Sequence, residues 1–486
     1  MWIALLSTYS FFLFLILVYS IFQLNLTLLY KKHKRNNQQE KIPVMDENNL
    51  PHVTIQLPVF NELYVVERLL DQVCRLNYPK HKLEIQVLDD STDETALVTQ
   101  NKVNELKAKG FDIVRRYRPI RTGFKAGALK EGLSHAKGDY LAIFDADFLP
   151  KPDFLMKTMP YFHDPRVGVV QTRWGHINKD YSFLTKMQAF ALDAHFSVEQ
   201  TGRNSKGYFI NFNGTAGVWR KSTIIDAGNW DHDTLTEDLD LSYRAQLKGW
   251  KIKYLEHYVA PAELPVEIGA IKGQQFRWTK GGAENLIKNA KRLISSNSIP
   301  FKTKLQGMFH LFSSTIFVCV FICCLLSVPI FYYKNQFDKI ELVLTICSVS
   351  LFSSAFLLYY FWTAYSYSVQ KPYNIFSYLG NFILFLPMIM GLSFHNTLAV
   401  TEGLLGIKSS FIRTPKFNVN SKKDKWKNNK YISRKISLSS IIEGLLAVYF
   451  SAAVFLAFYF QDFSFIYFHA FLVFGFGVLF ILSFKK

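Results

Sequence analysis

Long runs without a charged side chain interrupt this sequence, and they decide what it can become. Met1–Tyr30 is the first. Leu305–Tyr333, Leu342–Gln370, Pro372–Thr401, Gly444–Gln461 and Phe463–Phe484 follow. A bilayer-spanning helix needs about 20 predominantly apolar residues, and most of these runs supply them. The block between the first two, Lys31–Pro300, has ordinary soluble composition. The chain of 486 residues also exceeds the about 50–250 residues of a single domain. The sequence thus predicts an anchor, a soluble domain and a membrane region, in that order.

Met1–Tyr30 is too long for the apolar core of a cleaved signal peptide, and no basic segment precedes it. The basic group Lys31-Lys32-His33-Lys34-Arg35 comes after it. It reads as a retained helix. The net charge of +18 could suggest a nucleic-acid binder. The lysines and arginines gather instead beside the ends of the apolar runs, as the positive-inside rule expects, so no nucleic acid is predicted as a partner. Four of the five cysteines fall in apolar runs, and none has metal-ligand spacing.

Charge also orders the topology. Lys31–Arg35 assigns the end of the first helix, and the soluble domain with it, to the cytoplasm. Leu305–Tyr333 then runs out and Leu342–Gln370 returns. If Pro372–Thr401 also spanned, the basic loop Glu402–Lys435, with Lys408, Arg413, Lys416, Lys422, Lys423, Lys425, Lys427, Lys430, Arg434 and Lys435, would lie outside. The terminal Lys485-Lys486 would be outside too. Both conflicts vanish if Pro372–Thr401 lies along the membrane surface. Its Asn374, Ser377, Asn381, His395, Asn396, Thr397, Pro387 and Gly391 suit an interfacial helix. The expected plan is a first span (1–30), a cytoplasmic domain (36–300), two spans (305–370), an interfacial helix (372–401), a cytoplasmic loop (402–436) and two spans (437–486).

Within the soluble block, strands are expected at Val53–Phe60, Leu83–Leu88, Asp112–Tyr117, Tyr140–Phe144 and Val167–Thr172. Helices are expected at Glu62–Leu76, up to Lys109, and at Phe124–Ala136 with Gly138 as its C-cap. This alternation predicts an α/β domain with a mainly parallel sheet and helices on both faces. Such sheets bind ligands beyond the carboxyl ends of their strands, where the acidic clusters fall. Asp145-Ala146-Asp147 directly follows a strand. Carboxylates at i and i+2 of an extended chain share a side and suit a hard cation such as Mg²⁺ or Mn²⁺ with phosphate oxygens. Asp89-Asp90 ends an earlier strand, and with Ser91, Thr92 and Asp93 also reads as an Asx-capped turn. Thr236-Glu237-Asp238 opens a helix, with Thr236 as N-cap. In Gln274-Gln275-Phe276-Arg277-Trp278, arginine offers a planar fork for a diphosphate and tryptophan a flat face for a sugar ring.

In this order, Asp89-Asp90, Asp145-Ala146-Asp147, Thr236-Glu237-Asp238 and Gln274-x-x-Arg277-Trp278 resemble the processive family 2 glycosyltransferases. That group holds cellulose, mannan and hyaluronan synthases and ceramide glucosyltransferases. Pro58-Val59-Phe60-Asn61-Glu62 and Lys125-Ala126-Gly127-Ala128-Leu129 add to the likeness, which runs from about Val53 to the end. It implies a Rossmann-like GT-A fold, a nucleotide-sugar donor of the UDP-glucose or GDP-mannose type, and inversion at the anomeric carbon. Asp238 would be the general base. Asp145 and Asp147 would hold the metal, with Asp145 near the ribose. Glu62, Asp89, Asp90, Lys125 and Arg277 would face the donor. Gln274, Trp278 and the loop Asn213-Gly214-Thr215 would face the acceptor. Phe411-Ile412-Arg413-Thr414-Pro415-Lys416 resembles the gating loop FxVTxK of cellulose synthases, with Arg413 in place of the usual valine. That assigns Thr414 and Lys416 to the donor as well. The expectation is an integral, multi-pass protein of the cell (inner) membrane. It extends a β-glycan or, alternatively, adds one sugar to a membrane lipid. A transporter or nucleic-acid-binding membrane protein would leave the ordered acidic motifs unexplained.

Overall fold

The computed structural model describes residues 2–36, 49–337, 340–368, 373–426, 429–432 and 436–484. Met1, Gln370, Pro372, Lys427, Arg434, Lys435 and Lys485-Lys486, used in the charge reading, lie outside them. The chain opens with one long helix, Trp2–Asn36 (α1), whose last turn carries His33, Lys34 and Arg35.

The soluble block then alternates as expected: Val53–Val59 (β1), Val66–Val73 (α2), Leu83–Asp89 (β2), Thr95–Ala108 (α3), Asp112–Tyr117 (β3), Phe124–Ser134 (α4) and Tyr140–Ile143 (β4). Phe154–Thr158 (α5), Val167–His176 (β5) and Phe183–Ala194 (α6) follow. A π-turn, His195–Glu199, leads into Gln200–Asn204 (α7). Gly217–Arg220 (β6), Lys221–Asp226 (α8), Glu237–Leu247 (α9) and Lys251–Ala262 (β7) complete the sheet. The strand order is β3-β2-β1-β4-β6-β5-β7. Only β6 runs against its neighbours, so the sheet is mainly parallel. Its central strands are buried on both faces; β2 is buried at every position, as covered parallel strands must be.

The sheet opens where ligands are expected. Pairing of β1 with β2 continues to Val59 and Asp89, whereas pairing of β1 with β4 stops at Gln56 and Ile143. Pro58 lies in the stretch of β1 that has no β4 partner, so its missing N–H breaks no bond on that side. β4 then turns away into Asp145-Ala146-Asp147.

Some local expectations change. The helix α4 ends at His135, and Gly138 is not its cap. A Cβ on Gly138 would lie 2.5 Å from the Thr54 amide nitrogen, so glycine lets two backbones approach. Thr236 precedes α9 without capping it; its Oγ1 accepts from Asn285 Nδ2 at 3.0 Å instead.

Ile268–Ser295 (α10) leads out of the sheet toward the apolar region. The run expected as one span from Leu305 divides into Phe301–Phe312 (α11) and Ile316–Gln336 (α12). α11 is tied to the soluble domain, where Arg203 donates to the Gln306 carbonyl (3.2 Å) and Tyr243 to the Gly307 carbonyl (3.0 Å). Ile340–Ser368 (α13), Ile375–Leu404 (α14), Leu438–Tyr459 (α15) and Ile466–Phe484 (α16) follow. Counting α11 and α12 as one, six helices among the described residues are long and apolar enough to cross a membrane, α14 among them. α14 touches the soluble domain at both ends. Near its start, Tyr378 and Phe385 pack on Phe190 of α6 (ring centroids 6.2 and 5.3 Å). At its end, Glu402 pairs with Lys280 of α10 at 2.9 Å. All five cysteines are free thiols.

Candidate active site

Beyond the carboxyl ends of β1, β4 and β5, a cavity collects most of the residues singled out in the sequence. Glu62, Asp90, Lys125, Asp145, Asp147, Asn213, Gly214, Asp238, Gln274, Arg277, Trp278, Thr414 and Lys416 all line it.

On the β4 side, the Asp145 backbone N–H donates to Thr215 Oγ1 (2.8 Å). The Asp145 carboxylate accepts from Lys125 Nζ (2.5 Å), which also donates to the Gly214 carbonyl (3.0 Å). Lys125 is buried. Burial opposes its charge, but Asp145 and Glu237 outweigh that and raise its pKa. Thr215 itself is fully buried. It props Asp145 from behind the cavity lining. Two strained residues flank these groups, Phe124 at φ 50° and Ala216 at φ 54°, a cost usually found at functional sites.

Asp90 and Asp89 part company. Asp90 lines the cavity and accepts from Arg118 Nε (2.9 Å) and Nη2 (2.5 Å). Asp89 is fully buried and absent from the lining. Its Oδ1 accepts from the Ser91 N–H (2.9 Å) and its Oδ2 from Arg115 Nε (2.7 Å). The Asx-turn reading fits these contacts of Asp89.

The basic loop reaches into the cavity. Lys416 Nζ donates to Asp147 Oδ2 (2.6 Å) and to the Glu263 carbonyl (2.7 Å). Arg413 pairs with Glu62 at 2.7 Å. Burial raises the Glu62 pKa to about 7 against the pull of Arg413. Arg277 donates to Thr414 Oγ1 (2.9 Å) and to the Ile412 carbonyl. Burial lowers its pKa to about 10, so it stays charged at neutral pH. Phe411 stacks on Phe124 at 5.7 Å. With the loop seated, the cavity holds about 190 Å³, less than the ~300–1,000 Å³ of ordinary ligand pockets.

Asp238 stands in the first turn of α9 and faces Gly214. A Cβ on Gly214 would lie 3.1 Å from Asp238 Oδ2 and 3.4 Å from Lys125 Nζ, and its φ of +76° favours glycine. Burial, then the neighbouring Glu237, raises the Asp238 pKa to about 7. A carboxyl near the working pH suits proton transfer. α10 fixes this motif: Asn285 donates to the Thr236 carbonyl (3.2 Å), and Gly281 lets Thr236 come close. One turn apart on the same helix, Gln274 and Trp278 share a face. The Trp278 ring lies 6.4 Å from that of Trp174. Asn213 Oδ1 accepts from Gln200 (3.1 Å), while its Nδ2 has no partner among the described residues.

Asp145 and Asp147 are the residues of this cavity that suit a metal. Both offer hard oxygens, and each already holds an ammonium group, the mark of a site that draws cations. Among the described residues the tightest acidic cluster, Asp231, Asp233 and Asp240, lies elsewhere and is filled by Lys288. The sequence reading missed Arg121, Trp174, His176 and Glu263 as lining residues. Trp174 and His176 lie in the part of β5 beyond its expected end. Glu263 follows β7, a strand that was not expected.

Residues 51–281 match the family described as Glycosyltransferase like family 2. Glucomannan 4-beta-mannosyltransferase 9 of Arabidopsis thaliana is 39% identical over 341 residues, covering 66% of this chain and 64% of the relative. Glucomannan 4-beta-mannosyltransferase 1 of Oryza sativa subsp. japonica is 37% identical over 335 residues, again covering 66% and 64%. The chain thus spans somewhat less than two thirds of these relatives. Among solved structures, the mannosyltransferase PcManGT from Pyrobaculum calidifontis, in complex with GDP-Man and Mn²⁺, superposes with a TM-score of 0.51. It is 18% identical, over 72% of this chain and 97% of that one. That likeness bears out the GT-A fold.

Proposed function

We propose that the protein is an inverting, membrane-embedded glycosyltransferase that extends a β-glycan, with a mannosyl nucleotide of the GDP-mannose type as its donor. The observation that carries this is the partly buried Asp238 carboxyl, raised to about 7, in one cavity with Asp145, Asp147, Lys125, Arg277 and Trp278. The 4-beta-mannosyltransferase relatives support the sugar and the linkage.

Asp238 takes the proton of the acceptor hydroxyl as its oxygen bonds to the anomeric carbon from the face opposite the diphosphate. The bond from that carbon to the diphosphate oxygen breaks, and the configuration inverts. Negative charge grows on the leaving oxygens. Arg277, Lys125 and Lys416 meet it in a site shielded from water, where fixed charges count most. A divalent cation, Mg²⁺ or Mn²⁺, held by Asp145 and Asp147, would add to this neutralisation. Thr414 and Lys416 move from Arg277 and Asp147 onto the diphosphate. Gln274, Trp278 and Asn213 hold the acceptor end.

The five-span plan belongs to the same reading. The contacts of α14 with the soluble domain at both ends support an interfacial course for it. The soluble domain and basic loop then share the cytoplasmic side, and the later helices pass the growing chain outward.

The test is incorporation. Purified protein in lipid nanodiscs is given radiolabelled GDP-mannose, GDP-glucose or UDP-glucose with Mn²⁺ or Mg²⁺. The expected result is label in a polymer that β-mannanase digests. Label in chloroform-soluble lipid instead would replace the polymer reading with a lipid glycosyltransferase.

A further inference from the structure

Among the described residues, two ring nitrogens in the cavity wall make no hydrogen bond. Trp174 and His176 stand two residues apart near the end of β5, and both line the cavity. On a strand that spacing puts both side chains on one face. Among the described residues, neither Trp174 Nε1 nor His176 Nε2 makes a hydrogen bond, and both atoms are shielded. The His176 side chain is only 3% exposed. Folded proteins pair nearly all such groups, and each exception calls for a reason. Inside a ligand cavity the reason is a ligand.

The surroundings define its chemistry. Asp193 Oδ1 lies 3.7 Å from His176 Nε2, beyond hydrogen-bond distance. The same oxygen is engaged by Arg173 at 3.0 Å. Burial pulls the His176 pKa down to about 4 despite Asp193. The ring is therefore uncharged and offers one N–H and one acceptor nitrogen. The Trp174 ring stands among Phe196 (4.9 Å), Phe148 (5.2 Å) and Trp278 (6.4 Å). Leu192 and Pro265 line the same cavity. An uncharged aromatic wall with isolated ring nitrogens suits a pyranose. Its C–H faces lie on the rings, and its hydroxyls meet the nitrogens. A phosphate there would meet an uncharged wall, while Lys125, Arg277 and Lys416 stand nearby to receive it.

We propose that His176 is a specificity-determining residue that hydrogen-bonds one hydroxyl of a saccharide lying against the Trp174–Trp278 pair. This rests on the glycosyl-transfer reading above. The hydroxyl belongs either to the hexose being transferred or to the acceptor chain; the chemistry is the same, and the experiment separates the two.

His176→Phe keeps a ring and removes both nitrogens. Wild type and variant are assayed with monodeoxy forms of GDP-mannose and with monodeoxy mannotriose acceptors, as kcat/KM. In the wild type, one analogue should react about tenfold more slowly than its parent, the scale of one hydrogen bond. In the variant that analogue and its parent should react alike, because their common partner is gone. A coupled donor analogue assigns the hydroxyl to the transferred hexose; a coupled acceptor analogue assigns it to the chain. If His176→Phe does not fold, as judged by thermal unfolding in detergent, His176→Asn replaces it and must change which analogue is penalised. Wild type that makes polymer but shows no coupling with any analogue overturns the role of His176 alone. Wild type that uses no nucleotide sugar overturns the transfer reading. Quenching of tryptophan fluorescence by mannotriose and its deoxy forms then decides His176 without turnover, and equal quenching by all of them counts against it.

Discussion

Lys416 Nζ lies 2.6 Å from Asp147 Oδ2, with both side chains nearly buried. The basic loop thus places its own cation on the carboxylate proposed to hold a divalent metal. Asp147 carries two tasks, metal binding and loop docking, and its loss should be felt in both. Asp147→Asn is expected to cut turnover by about 10²-fold or more. It should also expose the segment around Ser421 to limited proteolysis in the absence of donor. Chelation with EDTA should abolish wild-type activity, and added Mn²⁺ should restore it. Activity that ignores EDTA would remove the metal from Asp145 and Asp147.

The Asp238 carboxyl should announce itself in the pH profile. As general base it acts only when deprotonated, and its pKa is raised to about 7. The rate should therefore rise with pH through about 7 and level off above it. Glu237 is also raised, chiefly by burial, so the acidic limb belongs to the pair. Asp238→Asn should lose about 10²–10⁴-fold in transfer and keep its affinity for the donor nucleotide. Lost nucleotide affinity with turnover preserved at saturation would make Asp238 a binding residue.

Much of this site was legible because parallel strands ending in acidic turns declare where ligands bind. Asp145, Asp147 and Asp238 needed only their motifs. Adjacent aspartates at a strand end point different ways, and only the structure shows that Arg115 takes Asp89 and the cavity Asp90. β6 is a four-residue strand, too short for any periodicity. β7 contains Pro261, which reads as a break but lies near the end of a strand paired only with β5. α11 parts from α12 at the turn Ser313–Thr315, and the hydrogen bonds that tie α11 to Arg203 and Tyr243, distant in sequence, leave no trace in apolar composition.

Gly214 tests how closely the acceptor loop fits the base. Its positive φ disfavours a side chain, and at 3.1 Å from Asp238 Oδ2 a methyl group would force that carboxylate to give by a few tenths of an ångström. Gly214→Ala should push the carboxylate or Lys125 aside, lowering kcat at least tenfold. The backbone cost alone is about 1–2 kcal/mol, and a lower Tm should accompany it. Normal kcat in this variant would show that Asp238 is not fixed against the loop.

The membrane course can be read with single cysteines in an otherwise cysteine-free background. Ser421→Cys should resist an impermeant maleimide in intact cells and react once they are permeabilised. Labelling from outside would overturn the cytoplasmic loop, the five-span count and the interfacial course of α14 together.

Trp278 separates an acceptor platform from a membrane anchor. It shares a helix face with Gln274 and lies 6.4 Å from Trp174; both rings line the cavity. A tryptophan kept only for the membrane interface would have no need to face a polar site. Stacking on a sugar ring uses the flat π-face, so Trp278→Phe should keep part of the activity and Trp278→Ala little. The discriminating measurement compares transfer to acceptor with hydrolysis of the donor by water. If Trp278 holds the acceptor, Trp278→Ala should lower transfer by about tenfold or more, the scale of ~1–3 kcal/mol for a lost stacking contact. Hydrolysis should fall far less, because water needs no platform. Equal loss of both, with donor affinity and folding intact, would move Trp278 from the acceptor into the reacting centre itself.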